Sequence, residues 1–300
     1  MKIAILSRGP ELYSTMRLFE AAKERGHDVS VVNHSHCYCV AAQGGSKVFC
    51  GDEEVDFDAI IPRIGSSITA HGASIVRQFE MLGTATSTSS IALVRSRDKL
   101  RSLQILSKDN GVEIPRTAFA KHPDNIKYLI KQVGGTPLII KILEGSQGLG
   151  VVLAETASAA KSVIEAFYNV RVNILLQEFI EEASGSDIRV LVVGGKVGGA
   201  MRRRSESGDF RSNLHRGGIG EPIDLSEGEV HTAIKAAKLL GLGVAGVDIL
   251  QSKRGPLVIE VNSSPGLEGI ETVTKKNIAA EIVKYVEGKV ASQEKDEVGA

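Results

Sequence analysis

The sequence predicts an α/β protein with a parallel sheet in its first part, on two observations. Short apolar runs of strand composition alternate there with longer segments of helical periodicity, which is the pattern of βαβ units. The chain also contains 32 glycines and no tryptophan, which favours a loop-rich α/β protein. Its 300 residues allow two domains or three small ones, at roughly 100–200 residues per domain.

The first third of the chain is predicted to contain three strands and three helices. The strands are residues 2–6, 29–33 and 59–62, and the helices are residues 11–25, 74–82 and 91–107. In the first helix, Leu12, Met16 and Phe19 fall on one face, and Gly26 follows as a stop signal. The Ser- and Thr-rich stretch 83–90 indicates a domain boundary.

The rest of the chain changes from this alternation to hairpins. Helices are predicted at residues 124–133, 157–167, 227–240 and 278–286. Strands are predicted at residues 137–142, 151–154, 174–177, 188–193, 196–203, 245–250 and 257–261. Gly194-Gly195 is a strong signal for a two-residue hairpin turn, and the polar stretch 291–300 is expected to be frayed.

Composition and charge argue against several classes of protein. With 36 basic and 36 acidic residues, the formal net charge is zero, which disfavours a surface built throughout for nucleic acid. No apolar run approaches the roughly 18 residues of a membrane span, and the first apolar run is too short for a signal peptide. Three cysteines, Cys37, Cys39 and Cys50, exclude a disulfide framework for the whole chain and favour a reducing cytoplasm.

A glycine-rich run at residues 144–150 predicts a mobile hairpin over a phosphate group, because exposed backbone N–H groups can line a concavity around phosphate. The run is not a P-loop, since no Gly-Lys-Ser or Gly-Lys-Thr follows it and the next residues predict a strand. Lys141 precedes it inside an apolar strand, where an anionic ligand would supply the partner that a buried lysine needs. The alternative is an ordinary flexible hairpin whose lysine reaches solvent.

A second cluster predicts a divalent metal site. Glu260 and Asn262 are two residues apart on one strand, so they share a face. A turn near residues 252–254 brings Asp248 opposite, or nearly opposite, Glu260 in an antiparallel ladder. Oxygen donors of this kind suit Mg²⁺ or Mn²⁺, which would also neutralise the clustered carboxylates. The alternative is a solvated sheet face that carries three polar residues.

An arginine-rich segment at residues 202–216 holds five arginines in fifteen positions. Guanidinium groups bind phosphate and carboxylate, and this segment has more of them than one triphosphate can use. The surplus is expected to bind other acidic groups beside residues 264–271. A solvated basic patch, or an RNA surface, is the alternative, although the chain offers few aromatic residues for stacking.

His34, His36, Cys37 and Cys39 are residue types that bind zinc. Their spacing is not that of a zinc finger or ribbon, and no second half-site follows. We expect them to be exposed or half-buried loop residues.

The order of these motifs resembles that of the ATP-grasp superfamily of carboxylate–amine ligases. More narrowly, residues 61–65, 97–101, 208–218 and 264–271 resemble RimK-type α-L-glutamate ligases. The resemblance implies an ATP-grasp fold. A Rossmann-like, pre-ATP-grasp parallel-sheet domain is expected at residues 1–95 and two α+β ATP-grasp subdomains at 96–186 and 187–288, with a polar tail at 289–300.

The resemblance also implies roles for individual residues. The expected nucleotide contacts are Lys99, Lys141, Glu178, Phe179, Asp187, Arg211, Ser212 and Asn213. The two lysines would hold the ATP phosphates, and Arg211 would be the catalytic residue that steadies an acyl phosphate. The expected ligands of Mg²⁺ or Mn²⁺, as two ions, are Asp248, Glu260 and Asn262.

The implied activity is ATP-dependent addition of L-glutamate to the acidic C-terminal tail of a small-subunit ribosomal protein, with repeated addition as a further expectation. We expect a cytoplasmic homo-oligomer, a dimer or tetramer, that contacts neither a membrane nor nucleic acid directly. Two alternatives stay open. One is a ligase that glutamylates a small molecule or a carrier protein, and the other is a non-catalytic nucleotide- or RNA-binding module.

Overall fold

The computed structural model describes residues 1–43, 45–121, 126–143, 150–206, 209–212 and 218–292. Within these ranges the strands are β1 (Lys2–Leu6), β2 (Asp28–Val32), β3 (Cys37–Ala42), β4 (Gly45–Cys50), β5 (Glu53–Glu54), β6 (Ala59–Pro62), β7 (Ala85–Thr86), β8 (Thr117–Phe119), β9 (Leu138–Ile142), β10 (Val151–Ala154), β11 (Ile174–Glu178), β12 (Ser186–Val193), β13 (Lys196–Arg204), β14 (Ile219–Pro222), β15 (Val244–Ser252) and β16 (Gly255–Asn262). The helices are α1 (Tyr13–Glu24), α2 (Thr69–Met81), α3 (Ser90–Arg97), α4 (Lys99–Leu106), α5 (Ile126–Gln132), α6 (Ala157–Asn169), α7 (Glu227–Leu240), α8 (Glu268–Thr274) and α9 (Ile278–Ser292). None of these described helices combines the length and the apolar character needed to cross a membrane.

A parallel sheet in the order β2-β1-β6-β7 forms the N-terminal part, as the alternation of strands and helices predicts. Its central strands are apolar runs covered on both faces, so Ile3, Ile5 and Ile60 are fully buried. The carboxyl ends of β1 and β6 lie side by side, since Leu6 pairs with Pro62. The residues that follow these two strands therefore meet at one edge of the sheet.

Two antiparallel sheets follow the parallel one. The sheet β10-β9-β11-β8 is covered by α5 and α6. The larger sheet has the order β14-β13-β12-β15-β16 and packs against α7 on one face and α8 and α9 on the other. The predicted turn at Gly194-Gly195 is confirmed, because Val193 pairs with Lys196 and both glycines have positive φ, 56° and 74°.

One hydrophobic core joins the parallel sheet to the five-stranded sheet. It contains Ile5 of β1, Leu191 of β12 and Ile282 of α9, all buried. Polar contacts close the same junction, where the Leu267 N–H donates to Ser14 Oγ at 3.0 Å. The segment that follows β16 is consequently held against the N-terminal part of the chain.

The helix predicted at residues 91–107 is wrong in one respect, because the structure has two helices there, α3 and α4. The apolar periodicity continues across the break, yet Asp98 has extended backbone with φ −82° and ψ 101°. Its carboxylate accepts a hydrogen bond from the Arg101 N–H at 3.0 Å. Asp98 is thus the N-cap of α4, and Lys99 becomes the first residue of that helix.

Residues 37–54 form a small antiparallel sheet, β3-β4-β5, that the sequence pattern does not predict. The expectation of exposed or half-buried loop residues is wrong for His34 and Cys37, which are both buried. Burial is the main cause that lowers the pKa of His34 to about 4. It also raises the pKa of Cys37 to about 12, and all three cysteines are free.

Several predicted features reach the limits of the described residues. The helix α9 continues to Ser292, past its predicted end at residue 286, and residues 293–300 lie outside the described part. The predicted start of the helix at residue 124 lies outside it as well. So do residues 144–149 of the glycine-rich run, and Asn213.

The N-cap at Asp98 predicts a measurable effect on stability. Asp98→Ala removes the acceptor of the Arg101 N–H, and we expect the free energy of unfolding to fall by about 1 kcal/mol in urea denaturation. Asp98→Asn is the control, since asparagine caps helices as well as aspartate does. Equal stability of the alanine and asparagine variants would contradict the assignment.

Candidate active site

A cleft of about 150 Å³ lies between the sheet of β8–β11 and the five-stranded sheet. The predicted site residues that line it are Lys99, Lys141, Glu178, Phe179, Asp187, Arg211, Ser212, Asp248 and Glu260. Asn262 is on the same strand as Glu260 but is not among the lining residues, and Asn213 lies outside the described part of the chain. The cleft walls thus bring together residues that are up to 161 positions apart, from Lys99 to Glu260.

Two lysines supply the positive charge of one wall. Lys141 lies on the central strand β9, and its Nζ donates to Gln177 Oε1 at 2.7 Å. Lys99 begins α4, and its Nζ donates to the Leu143 carbonyl at 2.9 Å. Burial lowers the pKa of both ammonium groups, and the field of Glu260 partly offsets this. The acceptor of the Lys141 ammonium is a neutral amide oxygen that does not compensate its charge, which favours an anion at this wall.

The opposite end of the cleft contains Glu178 and Phe179. The Glu178 carboxylate accepts two hydrogen bonds from Arg254, at 2.9 and 2.6 Å, and one from the Arg116 N–H at 3.0 Å. The Arg254 guanidinium is the main cause that lowers the pKa of Glu178. Three donors thus hold this side chain in place at the wall of the cleft.

A buried ionic network ties together three neighbouring strands of the large sheet. Arg203 of β13 donates to both oxygens of Asp187 on β12, at 2.7 and 2.5 Å. The same guanidinium lies 3.1 Å from Asp248 Oδ2 on β15. Asp248 also accepts two hydrogen bonds from Arg189, one of them at 2.7 Å. The two arginines lower the pKa of Asp248 against the effect of its burial, so its carboxylate stays ionised.

The strand pair β15–β16 positions the predicted metal ligands. Asp248 is the register partner of Glu260, with a bulge immediately after it, and Asn262 lies opposite Gly246. The described residues contain no group of three or more His, Cys, Asp or Glu side chains that could hold a metal. The predicted set differs from such a group, because it combines two carboxylates with the amide oxygen of Asn262. All three are hard oxygen ligands, which fit Mg²⁺. Each carboxylate has lone pairs to spare, so the arginine contacts of Asp248 do not exclude a cation.

Most of the described arginines of the arginine-rich segment are paired with carboxylates, which reduces the surplus charge that the sequence indicates. Arg211 donates to both oxygens of Asp209, with the shortest contact at 2.6 Å, and stacks over Phe210. Arg204 lies 3.6 Å from Glu221, and Arg203 is held in the buried network. Its described arginines thus have partners, and Arg216 lies outside the described residues.

Arg189 is a residue of the buried ionic network that sequence reasoning missed. It lies between Ile188 and Val190, which are both buried, and it holds Asp248 in place. The available signal was the one that singled out Lys141, namely a cation inside an apolar strand.

The buried network predicts a large difference between two neighbouring arginines. Arg203→Met leaves Asp187 without its guanidinium and Asp248 with one fewer, so we expect a loss of about 3–5 kcal/mol in the free energy of unfolding. Arg204→Met is the matched control on the same strand, and its exposed pair with Glu221 should contribute about 0–1 kcal/mol. Similar urea midpoints for the two variants would refute the role given to Arg203.

Comparisons with known proteins show the family to which the chain belongs. Residues 96–286 match the RimK-like ATP-grasp domain, and residues 1–93 match the RimK PreATP-grasp domain. A Vibrio vulnificus protein named probable alpha-L-glutamate ligase is 58% identical over 288 residues, which cover 96% of this chain and 95% of that protein. A Shewanella amazonensis protein named probable alpha-L-glutamate ligase 1 is 55% identical over 301 residues, which cover 100% and 99%.

Solved structures of low sequence identity show the fold. The ATP-grasp ligase PsnB, complexed with a minimal precursor, matches with a TM-score of 0.74 at 22% identity, covering 98% of this chain and 99% of PsnB. The D-alanine–D-alanine ligase of Bacillus anthracis matches with a TM-score of 0.67 at 17% identity, covering 97% and 98%. The predicted ATP-grasp fold is confirmed, and the chain belongs to the RimK family of ATP-grasp ligases.

Proposed function

We propose that this protein uses ATP to add L-glutamate to the C-terminal carboxylate of an acidic protein tail. The observation that carries the proposal is the convergence of Lys99 and Lys141 with Asp248 and Glu260 around one cleft. Cations on one wall and oxygen ligands on the other suit a triphosphate with a divalent cation. Relatives that are 58% identical and named probable alpha-L-glutamate ligases support glutamate as the donor.

The reaction would proceed in two steps. A carboxylate oxygen of the acceptor attacks the γ-phosphorus of ATP, ADP leaves, and an acyl phosphate forms. The neutral amine of glutamate then attacks the acyl carbon, phosphate leaves, and the amine loses a proton as the C–N bond forms. No side-chain nucleophile takes part, so the protein contributes position and charge neutralisation.

The side chains of the cleft have separate tasks in this scheme. Lys99 and Lys141 hold phosphate oxygens as point charges, and the Glu178–Phe179 backbone meets the adenine edge. Arg211 steadies the acyl phosphate, with its guanidinium oriented by Asp209 and Phe210. Asp187 and Arg203 keep the floor of the cleft rigid through their paired hydrogen bonds.

Asp248, Glu260 and Asn262 would hold Mg²⁺, with Mn²⁺ as a substitute and two ions as the expected number. When bound, the cation neutralises charge on the phosphate oxygens during transfer. The register of β15 and β16 supports this assignment, because it places the two carboxylates opposite one another at the cleft.

For the acceptor we propose the acidic C-terminal tail of a small-subunit ribosomal protein, with repeated addition. The fold accommodates peptides, since PsnB is seen with its precursor and the macrocyclase MdnC with a precursor peptide. Each product ends in the same kind of carboxylate as its substrate, so a second addition needs no new recognition. A cytoplasmic location and assembly into a dimer or tetramer belong to the same proposal.

A glutamate ligase for a small molecule or a carrier protein is the second candidate. Nothing in the cleft itself separates the two, because both reactions pass through an acyl phosphate and a glutamate amine. The acceptor must therefore be identified by mass rather than by ATP consumption.

The metal assignment predicts the effect of a single charge removal. Glu260→Gln keeps the size of the side chain but removes a carboxylate, and we expect phosphate release to fall by about 100-fold or more. The thermal midpoint should stay within a few degrees of the parent, since Glu260 is exposed. Glu53→Gln, at an exposed acid on β5, is the control and should have parental activity. A Glu260→Gln protein with near-parental turnover in Mg²⁺ would remove Glu260 from the site.

The proposed acceptor predicts a specific mass change. Incubating the enzyme with ATP, Mg²⁺ and L-glutamate should add increments of one glutamate residue to the C-terminus of a ribosomal small-subunit protein. A free peptide with the same acidic tail should be modified as well, and the peptide with an amidated C-terminus is the control that should not be. ATP consumption with a small glutamylated product, and no mass change on any protein, would move the assignment to the second candidate.

A further inference from the structure

We infer that Arg63 and Arg97, with Arg8 at the rim, form the binding site for the carboxylates of the amino-acid donor. This site lies outside the ATP cleft, between the carboxyl edge of the parallel sheet and the segment that follows β16. The inference rests on the proposed function, because it names the place where that function's donor would bind.

The three guanidinium groups contact two short segments, one that follows β6 and one that follows β16. Arg63 directly follows that strand, and its Nη2 donates to the Pro265 carbonyl at 2.8 Å. Arg97, from the end of α3, donates through Nη2 to the Ile64 carbonyl. Arg8 comes shortly after β1, and its Nη2 donates a hydrogen bond to Ser67 Oγ at 3.3 Å. Three cations are thus anchored to these two segments through neutral oxygens.

None of these arginines forms an ion pair within the part of the chain that the structure describes. Burial and the neighbouring charge of Arg97 lower the pKa of Arg63 to about 10. Burial also lowers the pKa of Arg97, against a favourable field from Glu260. Like charges held together without a carboxylate are costly, and an anionic ligand would remove that cost.

Unused hydrogen-bond donors point to the same place. Arg97 Nε, Ser263 Oγ and Ser264 Oγ are buried and have no partner among the described residues. Buried polar atoms are seldom left unpaired in a folded protein. The two serines immediately precede Pro265, whose carbonyl accepts from Arg63, so these orphan hydroxyls lie on the segment that Arg63 contacts.

The chemistry of the reaction selects the donor as the occupant. The acceptor carboxylate must attack phosphorus, and a guanidinium bonded to both its oxygens would weaken it as a nucleophile. The donor's own carboxylates do not react and stay negative from substrate to product, so permanent cations suit them. A positive surrounding also favours the neutral, nucleophilic form of the donor amine.

Most of the alternative cations for this task already have carboxylate partners. In the segment 202–216, Arg203, Arg204 and Arg211 contact Asp187, Glu221 and Asp209, and Arg202 donates to Gln251 on the far strand β15. Lys141 and Lys99 line the ATP cleft. Arg97 lies close to that cleft without lining it, since Glu260 of the cleft acts electrostatically on it, and Arg63 is the charged neighbour of Arg97. Their position suits a donor that must reach an acyl phosphate formed in the cleft.

The test separates the substrates by kinetics. For Arg63→Met and Arg97→Met, we expect the KM for L-glutamate to rise about 10- to 100-fold, the usual effect of losing a hydrogen bond to a charged group. The KM for ATP and the KM for the acceptor peptide should change less than twofold. Arg77→Met, at an exposed arginine of α2, is the control and should leave all three values unchanged. A selective rise in the KM for the peptide, or for ATP, would overturn the inference.

A binding measurement keeps the inference separate from the proposed function. Calorimetric titration of L-glutamate into the ADP- and Mg²⁺-loaded protein should show binding for the parent and Arg77→Met, and a loss of binding for Arg63→Met and Arg97→Met. Retained ADP binding shows that these variants are folded. Arg63-dependent glutamate binding without incorporation would refute the function and keep the site. Glutamate turnover with an unchanged KM in both arginine variants would refute the site and keep the function.

Discussion

The bidentate contact between Arg203 and Asp187 is the interaction on which the arrangement of the cleft depends. It spans β12 and β13, and the same guanidinium reaches Asp248 on β15, so one cation fixes the relative positions of three strands. Asp248 is in register with Glu260 on β16. Burying these charges is tolerable because each carboxylate is hydrogen-bonded to a guanidinium that is itself fixed in the sheet. The floor of the cleft is therefore preorganised before any substrate binds.

The cations near the cleft divide into two groups that differ in their partners. Arg189, Arg203 and Arg254 are bonded to carboxylates of the protein, and their work is structural or orienting. Lys141, Arg63 and Arg97 donate instead to amide and carbonyl oxygens, which do not neutralise them. A cation of the second kind retains its field for a ligand. Bonding partners, rather than the number of arginines in a segment, thus separate structural charges from candidate binding charges.

This distinction explains what the sequence could predict. The facing of Asp248 and Glu260 follows from strand periodicity and one short turn, and a lysine in an apolar strand identifies Lys141. By contrast, Arg63 and Arg97 come from a loop and a helix end, and their meeting depends on tertiary packing that no periodicity encodes. The break at Asp98 was missed because apolar spacing continues across it while the cap overrides it locally. The sheet of β3–β5 was missed because β3 has no clean alternation of buried and exposed residues.

The hydrophobic core shared by the parallel sheet and the five-stranded sheet places residues of both parts around one proposed active site. Asn262, a proposed metal ligand, ends β16, and Ser263, whose buried hydroxyl has no partner among the described residues, follows it directly. The packing of α9 and the contact from Arg63 to Pro265 hold this strand end against the N-terminal sheet. A phosphate bound through the metal at Asn262 and a donor bound next to Ser263 would be held at a fixed separation, because the backbone joins these two residues. Since ligation requires an amine to meet a short-lived acyl phosphate, such fixed proximity replaces a collision in solution with an intramolecular step. With the donor bound at Arg63, the N-terminal part of the chain would contribute directly to the active site.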